Sequence, residues 1–282
     1  MTSQPGQVSA APAHHIGPEA FGKSRETAVW WLTNAGFLIN SRGTLFMLDP
    51  AISLAVEPPG TSECGMRLLV DLPILAADVP RLDAVLYTHG DDDHFPPATA
   101  TALVRTGALF VGPPPVAAAS SGLGMPEGRV RVARARKAFE VGGVTVAPTP
   151  ADHPWQLRDP ERFGPPWKPE DCCGYLLSTP DGTIWCPGDT RLMDEHVQMK
   201  DVDLLLLDVS RSAYHLGIDN AARLANILDA PHIIPYHYGT FDAPDHPAYN
   251  GDPAEAAAKL HDAERRFHVI APGEKFVLRA QR

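Results

Sequence analysis

The segment Thr88-His89-Gly90-Asp91-Asp92-Asp93-His94 constrains this chain more than any other. It packs four side chains able to bind a metal, His89, Asp91, Asp93 and His94, into six residues. The apolar run Ala84-Val85-Leu86-Tyr87 leads into it and Pro96-Pro97 follows. A short apolar run bounded by breakers reads as a buried strand that ends in a loop. The ligands therefore belong at the carboxyl end of a strand, where a rigid sheet holds the loop in place. Imidazole and carboxylate donors without a thiolate suit zinc, manganese or iron better than copper(I) or an iron–sulfur cluster. The plain alternative is a solvated acidic loop with two incidental histidines. It loses ground as the rest of the chain is read.

Composition removes several function classes. A length of 282 residues allows one large core or two modest ones. The net charge of −10 argues against a general nucleic-acid binder, which usually carries a basic face. No apolar run approaches the length of a bilayer span, and the N-terminus lacks the pattern of a secretory signal. The four cysteines, Cys64, Cys172, Cys173 and Cys186, form no Cys-x-x-Cys pair, so a thiolate zinc site is not expected. The chain reads as a reduced, cytoplasmic protein acting on a small molecule, without nucleic acid or membrane as partner.

Residues 1–24 are rich in Ala, Pro, Ser and Gly and are expected to be a flexible tail. Residues 25–282 are expected to form a single domain. Val29 to Asn40 and Thr44 to Leu48 are strand-like, joined by a turn at Ser41-Arg42-Gly43. Residues 51–80 read as a long excursion over the site mouth. A helix is expected from Pro97 to Arg105. Short strands are expected at Ala108–Val111, Val144–Ala147, Tyr175–Ser178, Thr183–Cys186, Leu204–Leu207 and Ile233-Ile234. Asp219 reads as the N-cap of one helix, and another is expected from Pro253 to about Arg265. Strands at His268–Ile270 and Phe276–Leu278 complete the pattern. Strands come first and later alternate with helices. This is an α+β arrangement, satisfied by two sheets packed face to face with helices outside.

More candidate ligands recur in the same context, just after an expected strand. Val144–Ala147 runs into Asp152-His153, Ile184–Cys186 into Gly188-Asp189, and Ile233-Ile234 into His237. Glycine beside a ligand lets the backbone turn tightly. Each of these is weak alone.

Together, their order and spacing resemble the metallo-β-lactamase superfamily, over roughly Thr27 to Phe241. The ending His237-Tyr238-Gly239-Thr240-Phe241 most resembles its ascorbate-6-phosphate lactonase branch. The resemblance implies an αββα sandwich with a binuclear metal site at one edge of the sheets. It assigns His89, Asp91 and His153 to one metal and Asp93, His94 and His237 to the other, with Asp189 bridging. It also assigns Asp49 to fixing loop geometry rather than to binding metal. The family signature His-x-His-x-Asp-His departs here, because Asp91 replaces its middle histidine. A carboxylate makes that position harder and favours manganese or iron relative to zinc. Asp92 is the alternative ligand, but its parity points it the other way. An acid at this position is similar to the di-iron members of the superfamily, which carry Glu there.

Two divalent ions, zinc or manganese first and iron as an alternative, would deprotonate a water between them near neutral pH. That hydroxide is the expected nucleophile, with Asp93 orienting it. His215 is a candidate general acid. Substrate contacts are expected from Trp155 and Arg158 in a Pro-stiffened loop that also carries Arg162 and Trp167, and from Tyr214 and Tyr238. The leading expectation is hydrolysis of a lactone, another cyclic ester or a phosphoester. A di-iron oxygenase is the alternative. A binding protein on a decayed site is disfavoured by the near-complete ligand set. Homo-oligomerisation is open, with residues 51–80 as an interface.

Overall fold

The structure, a computed structural model, describes residues 7–279. Three antiparallel strands come first: β1 (Thr27–Thr33), β2 (Gly36–Ser41) and β3 (Thr44–Leu48). The parallel strands β4 (Ala84–Leu86), β5 (Leu109–Gly112) and β6 (Val130–Val132) extend the same sheet. The second sheet is built from β7 (Phe139–Val141), β8 (Val144–Pro150), β9 (Cys173–Thr179), β10 (Gly182–Cys186), β11 (Leu204–Asp208) and β12 (His232–Tyr236). Its β10, β11 and β12 run parallel. The last strand, β13 (Lys275–Val277), returns to the first sheet and pairs with β1.

Side chains alternate along the first sheet, and both of its faces are buried. Val29, Trp31, Phe37, Phe46 and Leu86 point between the sheets, where they meet Tyr175, Ile184, Leu206 and Tyr236. Trp30, Leu32, Leu38, Met47 and Val85 point the other way, toward Ala100 and Leu103 of the helix Pro97–Leu103. A strand whose two faces are both covered reads as an unbroken apolar run rather than as an alternation. The helix Gly217–Leu228 packs its Ala221, Ala222, Leu224 and Ala225 onto the second sheet. This is the αββα sandwich expected from the sequence.

Five local expectations change. Residues 7–24 are not a free tail: Ile16 and Phe21 are buried, and the Ile16 N–H donates to the Pro73 carbonyl at 2.9 Å. Their few apolar side chains find a prepared groove, which composition does not reveal; residues 1–6 lie outside the described ones. Val29 to Asn40 is broken at Asn34, whose φ of 45° turns β1 into β2. Asp219 sits inside the first turn of its helix, which begins at Gly217. The helix expected from Pro253 is two short ones, Pro253–Ala257 and Ala263–Arg266. His268–Ile270 is not a strand; a single bridge, Ile233 to Phe267, precedes it. Short apolar stretches carry too little pattern to separate these cases.

Candidate metal centre

Most of the candidate ligands leave the carboxyl ends of strands at one edge of the sandwich. His89, Asp91, Asp93 and His94 follow β4, His153 follows β8, Asp189 follows β10, and His237 follows β12. Asp189 can reach the others because Gly188 before it has a φ of 73°, with the Cys173 carbonyl where a Cβ would sit. His237 itself has a φ of 63°, an uncommon backbone for a non-glycine residue.

Four groups of donor atoms meet there: His89 with Asp91 and His153, Asp93 with His94 and His237, His89 with His94 and Asp189, and Asp189 with Asp208, His215 and His237. Asp189 lies at the centre. Its carboxylate is 3.0 Å from His237 Nε2, 3.1 Å from His94 Nε2 and 4.0 Å from His89 Nε2. Asp91 Oδ2 is 3.3 Å from His89 Nε2 and 3.5 Å from His153 Nε2. Asp92 is exposed and belongs to none of these groups.

Hydrogen bonds on the outer side of the rings fix which nitrogen faces inward. The His94 Nδ1–H donates to Asp49 Oδ2 at 2.9 Å, because an ionised carboxylate only accepts. Thr88 gives its hydroxyl proton to Asp49 at 2.6 Å, so its oxygen accepts from the His89 Nδ1–H at 2.9 Å. The His153 Nδ1–H donates to the Tyr214 carbonyl at 3.0 Å. Each ring therefore turns its Nε2, not its Nδ1, toward the centre. The Nε2 atoms of His89 and His94 are buried and have no hydrogen-bond partner. Buried orphaned nitrogens converging on carboxylates fit a divalent cation, since such atoms otherwise bear an uncompensated desolvation cost.

The electrostatics point the same way. Burial pushes the His94 imidazole down, yet Asp189, Asp93 and Asp49 hold it well above its usual value. Burial pushes Asp189 up, but His215, His237 and His94 keep it well below the carboxylate range. A group of acids that holds protons on imidazoles this strongly also attracts a cation.

The centre opens into a cavity of about 690 Å³. Trp155, Arg158, Phe163, Tyr214, His246 and Tyr249 line it, with Cys64 and Met66 from the 51–80 excursion. His215 lies on its wall, with its Nδ1–H donated to Asp208 at 2.7 Å and its Nε2 3.5 Å from Asp189. Tyr238 is the expected site residue that the fold takes elsewhere. It is buried in the core, stacked on Trp31 with ring centroids 4.8 Å apart, and does not line the cavity. The turn at His237 sends adjacent side chains to opposite places.

Sequence reasoning missed Asp49's partner Thr88, and also Asn34 and Asp208. Asn34 donates to Asp93 Oδ2 at 3.0 Å and to the Asp93 carbonyl at 3.1 Å. No local pattern marks it. Asp208 ends the apolar strand β11, the same context as the other candidates, and that signal was readable.

A family model described as a beta-lactamase superfamily domain matches residues 44–238. A metal-dependent hydrolase of Myxococcus xanthus is 30% identical over 96% of this chain and 88% of its own length. The chain belongs to the metallo-β-lactamase superfamily. Solved structures on this superfamily fold include an isothiocyanate hydrolase from Delia radicum gut bacteria, with a TM-score of 0.67, 21% identity, and coverage of 89% of this chain and 99% of that one. They also include a diiron beta-hydroxylase from Streptomyces venezuelae, with a TM-score of 0.66, 17% identity, and coverage of 92% of this chain and 55% of that one. A hydrolase and a hydroxylase on one superfamily fold leave the chemistry to the site itself. Among the described residues, no helix is long and apolar enough to cross a membrane.

Proposed function

We propose that this superfamily member is a binuclear metal-dependent hydrolase of a small molecule: a lactone, another cyclic ester or a phosphoester. One observation carries the reading. The Asp189 carboxylate stands between two three-residue groups, 4.0 Å from His89 of one and 3.1 Å from His94 of the other. His89, Asp91 and His153 would hold one divalent ion, and Asp93, His94 and His237 the second, with Asp189 shared. Bound ions would supply Lewis acidity toward a carbonyl or phosphoryl oxygen and an activated water.

The chain's own residues do the rest. His215, oriented by Asp208, faces the cavity and is placed to give a proton to the leaving oxygen. Asn34 fixes the Asp93 carboxylate, which orients the attacking group. Trp155, Phe163 and Tyr249 wall the cavity with aromatic surface and limit water. Arg158 lies over the Phe163 ring at 5.0 Å and forms no ion pair among the described residues, which suits an anionic part of the substrate. The name of the Myxococcus xanthus relative agrees with hydrolysis.

A second reading has its own observation. Asp91 puts a carboxylate where the family signature has an imidazole, which favours iron and oxygen chemistry. Metal analysis of untagged protein, purified without added metal, separates the two. Zinc or manganese near two equivalents, with turnover of lactones or phosphoesters, supports the hydrolase. Iron near two equivalents, with oxygen uptake, moves the second reading ahead. No tight metal overturns both.

A further inference from the structure

The two groups of ligands are held by different kinds of surroundings. Asp93, His94 and His237 are anchored from the interior, through Asn34, Asp49 and Asp189, all buried. His89 and His153 are also held from behind, by Thr88 and by the Tyr214 carbonyl, but together with Asp91 they meet the loop at 154–171 between β8 and β9. The Trp155 indole N–H donates to Asp91 Oδ1 at 3.1 Å. Trp167 stands edge-on to His89 at 5.4 Å and to His153 at 6.2 Å between ring centroids. The side chain of Gln156, itself buried, accepts the Trp167 backbone N–H at 3.1 Å and ties the two ends of this contact together. No side chain of the loop hydrogen-bonds to Asp93, His94 or His237.

The indole bond has a geometric consequence. Asp91 is partly exposed, and a free aspartate could turn either oxygen inward. With Oδ1 engaged by Trp155, only Oδ2 faces His89 and His153, at 3.3 and 3.5 Å. Aspartate is the unusual ligand of this group, and the indole supplies the fixed orientation that an imidazole gains from its second nitrogen. The same indole lines the cavity and packs on Phe163 at 4.9 Å.

We infer that Trp155 is a positioning residue for Asp91, and that the 154–171 loop thereby controls the affinity of the first metal site alone. The inference rests on the binuclear reading above. A loop that also walls the cavity then couples its own position to the first ion. Displacing it loosens that ion and leaves the second in place.

Competition of zinc-loaded protein against a chromophoric chelator tests this directly, with no need for a substrate. Wild type should hold two zinc ions. Trp155→Phe keeps an aromatic ring but removes the N–H. It should keep one ion unchanged and bind the other about 10- to 100-fold more weakly, the usual effect of removing a partner that orients a ligand. Asp91→Ala should weaken the same ion, and adding Trp155→Phe to it should cost nothing more, because both changes act on one interaction. Melting of the metal-free proteins checks that the variants fold alike. Three results overturn the inference: Trp155→Phe retains both ions at wild-type affinity, weakens both equally, or adds its effect in full to that of Asp91→Ala. Wild type holding fewer than two ions removes the binuclear reading itself, and the inference with it.

Discussion

Asp49 and His94, which are 45 residues apart, share a buried hydrogen bond of 2.9 Å. The same carboxylate accepts the Thr88 N–H at 2.7 Å and the Thr88 hydroxyl at 2.6 Å. One acid at the end of β3 therefore fixes both the course of the loop after β4 and the tautomer of His94. Asp49→Asn keeps the size but loses the charge that holds the His94 Nδ1–H. We expect about a 10- to 100-fold loss of affinity for the second ion, measured by zinc competition, with a smaller loss for the first, which feels Asp49 only through Thr88 and His89.

His215 and Asp208 form a further buried His–Asp pair. His215→Ala should lower turnover by about 10²-fold or more, in the range of a lost general acid, with metal content unchanged. Loss of a metal equivalent in this variant would make His215 a ligand instead.

The stack of Tyr238 on Trp31 separates a core role from a substrate role. Tyr238→Phe should leave turnover and KM unchanged. Tyr238→Ala should cost about 3–5 kcal/mol of stability, read from urea unfolding, as for other large aromatic truncations in a core.

Chelation should destabilise the protein, because the ligand set exists only in the folded state. With free metal at about 1,000 times its Kd, the linkage is about 4 kcal/mol, or roughly a 10 °C fall in Tm on removing the metal. An unchanged melting curve after EDTA treatment would count against tight binding.

A pH effect is expected far from the centre. Asp181, in the β9–β10 turn, accepts from Arg42 Nε at 2.9 Å and from the Thr27 N–H and hydroxyl at 2.9 and 2.8 Å. Arg42 first, and then Thr27, hold its carboxyl below the usual range. A carboxyl depressed in the folded state stabilises above its unfolded value of about 3.9 and loses that contribution as pH falls through the folded value. The urea midpoint should therefore drop more between about pH 5 and pH 2 in wild type than in Asp181→Asn.

Local order in the sequence was enough to read the candidate-ligand loop after β4, the strands that precede the candidate ligands and the hairpin of β9 and β10. Apolar runs ended by Gly, Pro and Asp carry that information within a few residues. The resemblance added the αββα order, because spacing of ligands along a chain reflects the fold that brings them together. Tertiary structure alone decided which atoms face one another. The indole of Trp155 on Asp91, Asn34 on Asp93 and Asp208 on His215 are contacts whose partners are set by how loops from different strands pack at one edge. The burial of Ile16, Ala20 and Phe21 and the inward turn of Tyr238 are decisions of the same kind. Each depends on surfaces that exist only once both sheets have closed, and a side chain with one apolar face and one polar tip has no local pattern to announce which it will use.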